Sequence, residues 1–261
     1  MCSKLGVSIK WLSVSCFEIR CDDVTVVNDP FVTDCDSTEL TWEAIESCDI
    51  LCLSHAHFDH IMNIPKLVEK FRPLLLCGDQ TAMPLASWLN YSPTRIYPMT
   101  PNLELDFDKV KIRALFGRHS EQSAGFNDLR ATLSKYRWCA DDQQVNSMQG
   151  IGSMEYRNYL LTFPSGVKIL LYGSDVTPEQ INICKELKPD IAILQRSFSP
   201  AAIQKKAAFA AAIGCKVLIP HHMDYPVDTS PEQIAAHGEA FLKLVPDGMF
   251  INPQHGQWID L

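Results

Sequence analysis

Four side chains that can bind a metal ion fall within the six residues from His55 to His60. His55 and His57 are one residue apart, and Asp59 and His60 follow. In extended backbone, side chains at i and i+2 share a face, so His55 and His57 can hold one ion together. Neutral imidazole and carboxylate suit zinc, and also iron and manganese. Because three of the chain's eight histidines lie here, the segment predicts a metal site rather than a polar turn.

The apolar run from Asp49 to Leu53 predicts a strand that ends at this cluster. Strands and helices alternate along the rest of the chain, a pattern typical of stacked sheets covered by helices. Residues 164–166, Pro-Ser-Gly, predict a hairpin turn between two strands. Strands are predicted at 8–13, 16–21, 24–28, 49–53, 74–77, 103–107, 110–116, 156–163, 167–173, 190–194, 216–220 and 248–251. Helices are predicted near 60–71, 79–89, 177–187, 201–213 and 231–243.

The pattern His-x-His-x-Asp-His after a strand resembles the signature of the metallo-β-lactamase superfamily of hydrolases. The resemblance implies an α/β fold, a four-layer αββα sandwich. It extends downstream, where three further candidate positions follow predicted strands in the family's order. These are His119 after 110–116, Asp175 after 167–173, and His221 or His222 after 216–220.

The resemblance also implies a ligand set for two ions. One ion would be held by His55, His57 and His119. The other would be held by Asp59, His60 and His222, with Asp175 bridging both. His221 is the alternative to His222. We prefer His222 because the ascorbate-6-phosphate lactonase type, which this chain looks most like, carries Pro-x-His here.

One position departs from those relatives, which often place Gly-His just after the first strand. This chain has Ser13 and Val14 there, so any substrate contact made by that histidine is absent or relocated.

Two divalent ions, zinc or manganese first and iron as the third option, would activate a shared water for attack on a carbonyl or phosphoryl group. Asp59 and Asp175 are the expected catalytic residues, Asp59 by handling the proton and Asp175 by bridging the ions. Arg196, Tyr225 and His221 are candidate substrate contacts, with ordinary loop polarity as the alternative.

Residues 120–154 exceed what a minimal sandwich needs, and loops this long usually have a function or are disordered. Within them a basic helix is predicted from Asn127 to Arg137. We expect a cap over the metals in which Arg130 and Arg137 recognise an acidic group of the substrate. The competing interpretation is a subunit contact in a homo-oligomer.

Composition favours one domain over 1–261, since 261 residues with 46% hydrophobic content can bury a full core. The ten scattered cysteines form no Cys-x-x-Cys pair, and the amino terminus lacks the apolar stretch of a secretory signal. We therefore expect a cytoplasmic protein with reduced thiols and no membrane association.

The charge pattern bears on the substrate. The net charge is −8, and no basic run exceeds Lys205-Lys206. A nucleic-acid partner is therefore disfavoured. The sequence predicts a metal-dependent hydrolase of a small, anionic ester, lactone or phosphoester. The alternatives are a nuclease or phosphodiesterase acting on nucleic acid, and a non-catalytic metal-dependent binding protein.

Overall fold

The computed structural model describes residues 5–119, 143–225 and 228–261. In its first half the strands are β1 (Val7–Ser13), β2 (Cys16–Cys21), β3 (Val24–Asn28), β4 (Ile50–Cys52), β5 (Leu74–Cys77), β6 (Ile96–Pro98), β7 (Glu104–Asp106) and β8 (Lys111–Gly117). The helices there are α1 (Phe58–Ile61), α2 (Ile64–Phe71) and α3 (Asp79–Leu89).

The second half contains α4 (Gln143–Met154), α5 (Pro178–Leu187), α6 (Pro200–Ala212) and α7 (Pro231–Leu244). Its strands are β9 (Tyr156–Thr162), β10 (Lys168–Tyr172), β11 (Ile191–Gln195), β12 (Val217–His221), β13 (Met249–Phe250) and β14 (Trp258–Asp260). None of the helices in the described ranges combines the length and apolar composition that a membrane crossing requires.

These strands form two sheets of seven in the described part of the chain. Their orders are β14-β1-β2-β3-β4-β5-β6 and β13-β12-β11-β10-β9-β8-β7. In each sheet, antiparallel pairs give way to parallel ones, from β3–β4 onward in the first and from β10–β11 onward in the second. The parallel strands in each sheet therefore present their carboxyl ends on one edge, where loops can converge on a site.

Three apolar clusters fill the spaces between the layers and pack them together. One, including Ile19 and Ile169, lies between the sheets. A second, including Leu51 and Leu67, packs α2 and α3 on the first sheet. A third, including Leu170 and Phe209, packs α6 on the second sheet. The predicted four-layer αββα sandwich is confirmed, and each fully buried Leu or Phe contributes about 1.5–3 kcal/mol to its stability.

The structure confirms two predicted features, the hairpin turn at 164–166 and the start of the helix at 231. Gly166 has φ +91°, and the N–H of Phe163 donates to the carbonyl of Val167 at 3.0 Å, which closes the predicted hairpin. Helix α7 begins after Ser230, whose side chain accepts the N–H of Gln233 in a capping box.

Three predictions of secondary structure need correction. The predicted helix 60–71 is two helices, because Asn63 lies outside helical geometry between α1 and α2, and its side chain accepts the N–H of Val32. Strands β6 and β14 were not predicted; each has only three residues, and proline ends β6. Helix α4 was not predicted either, because Gly150 and Gly152 lower its intrinsic helix propensity.

Candidate metal centre

The structure brings together six of the predicted metal ligands in two groups. Ligand atoms of His55, His57 and His119 lie within 4.8 Å of one another, and so do those of Asp59, His60 and His222. Three donors on one zinc ion at ~2.1 Å are at most about 4.2 Å apart, so each group is near the span that one ion requires. The rings of His55 and His60 have centroids 4.0 Å apart, so the two groups adjoin.

Both sheets contribute residues to these groups, from the segments that follow the carboxyl ends of their strands. His55 and His57 follow β4, and Asp59 and His60 lie on α1. His119 follows β8 and His222 follows β12, both in the second sheet. The site therefore depends on the stacking of the two sheets, because neither sheet alone supplies a complete group.

Four of the histidines also have a partner on one ring nitrogen. A metal-binding histidine usually fixes its ring in this way, with the other nitrogen facing the ion. The pairs are His55 Nδ1 with Ser54 Oγ at 2.9 Å, His57 Nε2 with Ser153 Oγ at 3.0 Å, His60 Nδ1 with Asp29 Oδ2 at 2.9 Å, and His222 Nδ1 with the Tyr225 carbonyl at 2.8 Å. A metal ion bound at these rings would therefore use Nδ1 of His57 and Nε2 of the other three.

Asp29 and Ser54 connect the two groups. Asp29 accepts the Ser54 N–H at 2.7 Å and the Ser54 hydroxyl at 2.6 Å, and it also contacts His60. Ser54 in turn contacts His55. One buried carboxylate therefore orients a histidine of each group. The local spacing of the sequence does not signal this contact, because Asp29 and Ser54 lie 25 positions apart.

The surroundings favour neutral imidazole at His55 and His222, but not at His60. Burial lowers the pKa of His55 well below its ordinary value, and the neighbouring histidines add to this. Burial also lowers the pKa of His222, against the opposing charge of Asp59. At His60 burial acts in the same direction, but Asp59 and Asp29 outweigh it and raise the pKa. Neutral imidazole is the form that binds a metal.

We expect the metal-free protein to lose stability in mild acid. The pKa values of His55, His221, His222 and His237 are lowered, mainly by burial, and that of His60 is raised. Below the unfolded value of about 6.5 the unfolded chain takes up protons that the four buried rings resist. His60 has the opposite effect: its raised pKa stabilises the folded state in that range and offsets the contribution of one of these four histidines.

The free energy of unfolding should therefore fall by about 1.4 kcal/mol per pH unit for each excess proton bound by the unfolded chain. Urea unfolding of chelator-treated protein at pH 7.5 and 5.5 measures this. Equal or greater stability at pH 5.5 would contradict the assignment of buried, neutral histidines.

Helix α4 lies directly against His57. A Cβ placed on Gly152 would come within 2.5 Å of the His57 ring and 2.8 Å of the Ala56 backbone. The next residue, Ser153, contacts His57 Nε2, and Gln149 accepts the N–H of Phe58. Position 152 therefore requires glycine, because helix α4 approaches His57 and the Ala56 backbone too closely for a side chain to fit. The described end of the 120–154 segment, residues 143–154, therefore packs against the predicted metal ligand His57.

Gly152→Ala should displace His57, because the backbone of Ala56 cannot yield as a flexible side chain could. Such overpacking typically costs about 1–3 kcal/mol. We expect a lower melting temperature and weaker metal binding, measured by thermal unfolding and by metal titration. Ser153→Ala, which removes the hydroxyl without a clash, should weaken metal binding with less loss of stability. Native-like metal binding in both variants would show that α4 does not hold His57.

Asp175 belongs to neither group in the described residues. It follows β10, and its N–H donates to the carbonyl of Arg118 at 3.2 Å. Burial lowers the pKa of Lys206 to about 8, and the negative charge of Asp175 opposes that shift, so the two side chains interact. A bridging role for Asp175 remains a prediction.

The candidate substrate residues have different surroundings. Arg196 is buried, and its guanidinium donates to the Met223 carbonyl at 3.1 Å and to Thr229 Oγ1, so it braces the loop after β12. His221 is buried, with Nδ1 3.0 Å from Ser15 Oγ. The Tyr225 ring is 6.2 Å from that of Phe58. Substrate contact by these residues stays a prediction, and Arg130 and Arg137 lie outside the described residues.

Tyr156 is a further neighbour of the site that sequence reasoning missed. Its ring stacks on His55 with centroids 4.6 Å apart and planes 25° apart. Burial raises the pKa of its hydroxyl, which therefore stays protonated. A Cβ on Gly173 would come within 2.0 Å of that hydroxyl, so a glycine there admits the tyrosine. No spacing in the sequence signals this contact.

Two stacked sheets between helical layers, with histidine and aspartate at the strand ends, define a metallo-β-lactamase fold. The family model described as the beta-lactamase superfamily domain matches residues 8–151. Because this is more than half of the chain, the protein belongs to that family.

Individual relatives are similar to this chain in sequence or in structure. A UPF0173 metal-dependent hydrolase from Koribacter versatilis is 24% identical over 229 residues, which cover 86% of this chain and 88% of the relative. Another from Salinibacter ruber is 27% identical over 114 residues, which cover 44% of this chain and 49% of the relative. Among solved structures, the metallo hydrolase Igni18 from Ignicoccus hospitalis has a TM-score of 0.72 at 14% identity, covering 98% of each chain. That structural likeness concerns the fold.

Proposed function

We propose that this protein is a metal-dependent hydrolase of a small ester, lactone or phosphoester. The observation that carries the proposal is the pair of adjoining donor groups, His55–His57–His119 and Asp59–His60–His222. Relatives over most of the chain carry the name metal-dependent hydrolase, which supports the same function.

The residues present fit divalent ions. Imidazole and carboxylate are suitable donors, and four histidines are fixed by a second partner. Bound there, divalent ions supply Lewis-acid polarisation and lower the pKa of water toward ~7, as they do in other hydrolases. We propose two ions, zinc or manganese before iron, with Asp175 as the ligand that joins the groups.

Asp59 is the proposed proton carrier. Its Oδ2 lies 3.8 Å from His60 Nε2 and 3.7 Å from His222 Nε2, and its side chain is 14% exposed. In hydrolysis the water oxygen bonds to the acyl or phosphoryl centre, and the bond to the leaving oxygen breaks. Asp59 can hold the proton released from water until the leaving oxygen takes it.

The substrate proposal is a small anionic molecule, as in the lactonase type that the sequence resembles. The acidic chain lacks basic runs, which argues against nucleic acid. The proposed recognition residues remain those predicted from the sequence, Arg130, Arg137, Arg196, His221 and Tyr225. The cysteines of the described ranges are buried free thiols, which supports the proposed cytoplasmic location.

A hydrolysis panel tests the function. Lactones, phosphomonoesters, and cyclic and linear phosphodiesters should be offered to chelator-treated protein with and without added manganese or zinc. We expect turnover of at least one class only with metal. If no class is turned over under any condition although metal binds, the non-catalytic binding protein becomes the better description.

A further inference from the structure

Asp224 and its contacts hold the segment that carries His222. The Asp224 carboxylate is buried and accepts the backbone N–H of Val14 at 3.0 Å and 3.1 Å. The N–H of His222 donates to the carbonyl of the same Val14 at 2.7 Å. Both peptide groups of one residue in the first hairpin are therefore tied to the segment 222–224.

The backbone at both ends of this contact is unusual. His222 has φ +62° and Val14 has φ +44°, in the left-handed region that favours glycine. A non-glycine residue there costs on the order of 1–3 kcal/mol, and it persists only where surrounding contacts enforce it. The hydrogen bonds to Asp224 and His222 are such contacts. They fix the backbone from which the His222 ring approaches Asp59.

The carboxy-terminal segment holds the Asp224 carboxylate from its other side. His255 Nε2 lies 3.0 Å from Asp224 Oδ2, and the His255 ring stacks on Trp11 with centroids 4.2 Å apart. Trp11 Nε1 also donates to the Val14 carbonyl at 3.2 Å. Stacking limits rotation of His255, so its hydrogen bond stays directed at Asp224.

We propose that Asp224 and His255 are positioning residues for the second donor group, Asp59–His60–His222. They act through His222 and contact no metal themselves. This inference rests on the proposed metal-dependent function. It makes one distinctive claim: loss of the pair weakens the metal bound by His222 and leaves the ion at His55, His57 and His119 in place.

Stepwise metal titration tests the claim. Zinc or cobalt is added to the metal-free 261-residue protein in the presence of a competing chelator, which yields a dissociation constant for each ion. The variants are Asp224→Asn and His255→Phe; phenylalanine can still stack on Trp11 but lacks the N–H donor. The control is Asp247→Asn, because Asp247 is an exposed carboxylate paired at 2.7 Å with Lys216, which lies at the opposite end of β12 from His222.

We expect the dissociation constant of one ion to rise by roughly ten- to a hundredfold in both variants, the usual cost of losing a hydrogen-bond partner behind a ligand. The other ion and the control should be unchanged. The double variant should bind that ion only slightly more weakly than Asp224→Asn, because His255 acts on the His222 segment through Asp224. If Asp224→Asn does not fold, the partly exposed His255 still decides the question.

Two results would overturn the inference. Native-like binding of both ions by His255→Phe removes it, and so does equal weakening of both ions, which indicates a general structural role. In either case native protein that binds two ions leaves the proposed function standing. Native protein that binds no metal removes the proposed function, and this inference with it.

Discussion

Replacing His57 by alanine should strip the first donor group of its metal and abolish metal-dependent turnover. His57 belongs to the group with His55 and His119, and its ring is held by Ser153. Loss of a ligand leaves two donors, so metal affinity should fall by more than the roughly ten- to a hundredfold that loss of an outer partner costs. Elemental analysis after dialysis measures the loss.

His237→Ala is the matched control. His237 is also buried, but it contacts the backbone of Ser197 and belongs to neither donor group of the described residues. It should keep its metal even if its stability falls. Equal metal content in the two variants would exclude His57 as a ligand.

Asp175→Asn should keep the fold and lose most turnover. Asparagine conserves the shape but removes the charge that we propose joins the two ions. The loss of several kcal/mol of transition-state stabilisation corresponds to about a thousandfold in rate. The rate constant under metal saturation, together with thermal unfolding, measures the effect.

Asp175 also interacts with Lys206. Lys206→Met therefore serves as a comparison, since it removes that interaction without removing a proposed ligand. Turnover by Asp175→Asn within a few fold of the native rate, at equal metal content, would show that Asp175 is not a bridging ligand.

Sequence reasoning was most successful where a local pattern is sufficient. Strands β1, β2 and β5 were predicted within one residue of their ends, because apolar runs and turn residues bound them. The cluster from His55 to His60 could be recognised for the same reason, as its spacing is local. Assembly of His119 and His222 with it depends on two sheets, and family order rather than spacing suggested those two.

The contacts behind the ligands could not be predicted. Ser153 meets His57 across 96 positions of the chain, and Asp224 meets Val14 across 210. Such pairs arise only from packing of the two halves. Helix α4 shows the same limit, because glycine at 152 argues against a helix locally, while the close approach to His57 requires it.

The central claim is that the two donor groups hold metal ions, and metal stoichiometry tests it most directly. Protein purified without chelator, or reconstituted with zinc or manganese and then desalted, should contain close to two ions per chain by elemental analysis. His57→Ala and His222→Ala should each lower that number. A ratio near zero in the native protein after reconstitution with either metal would contradict the account.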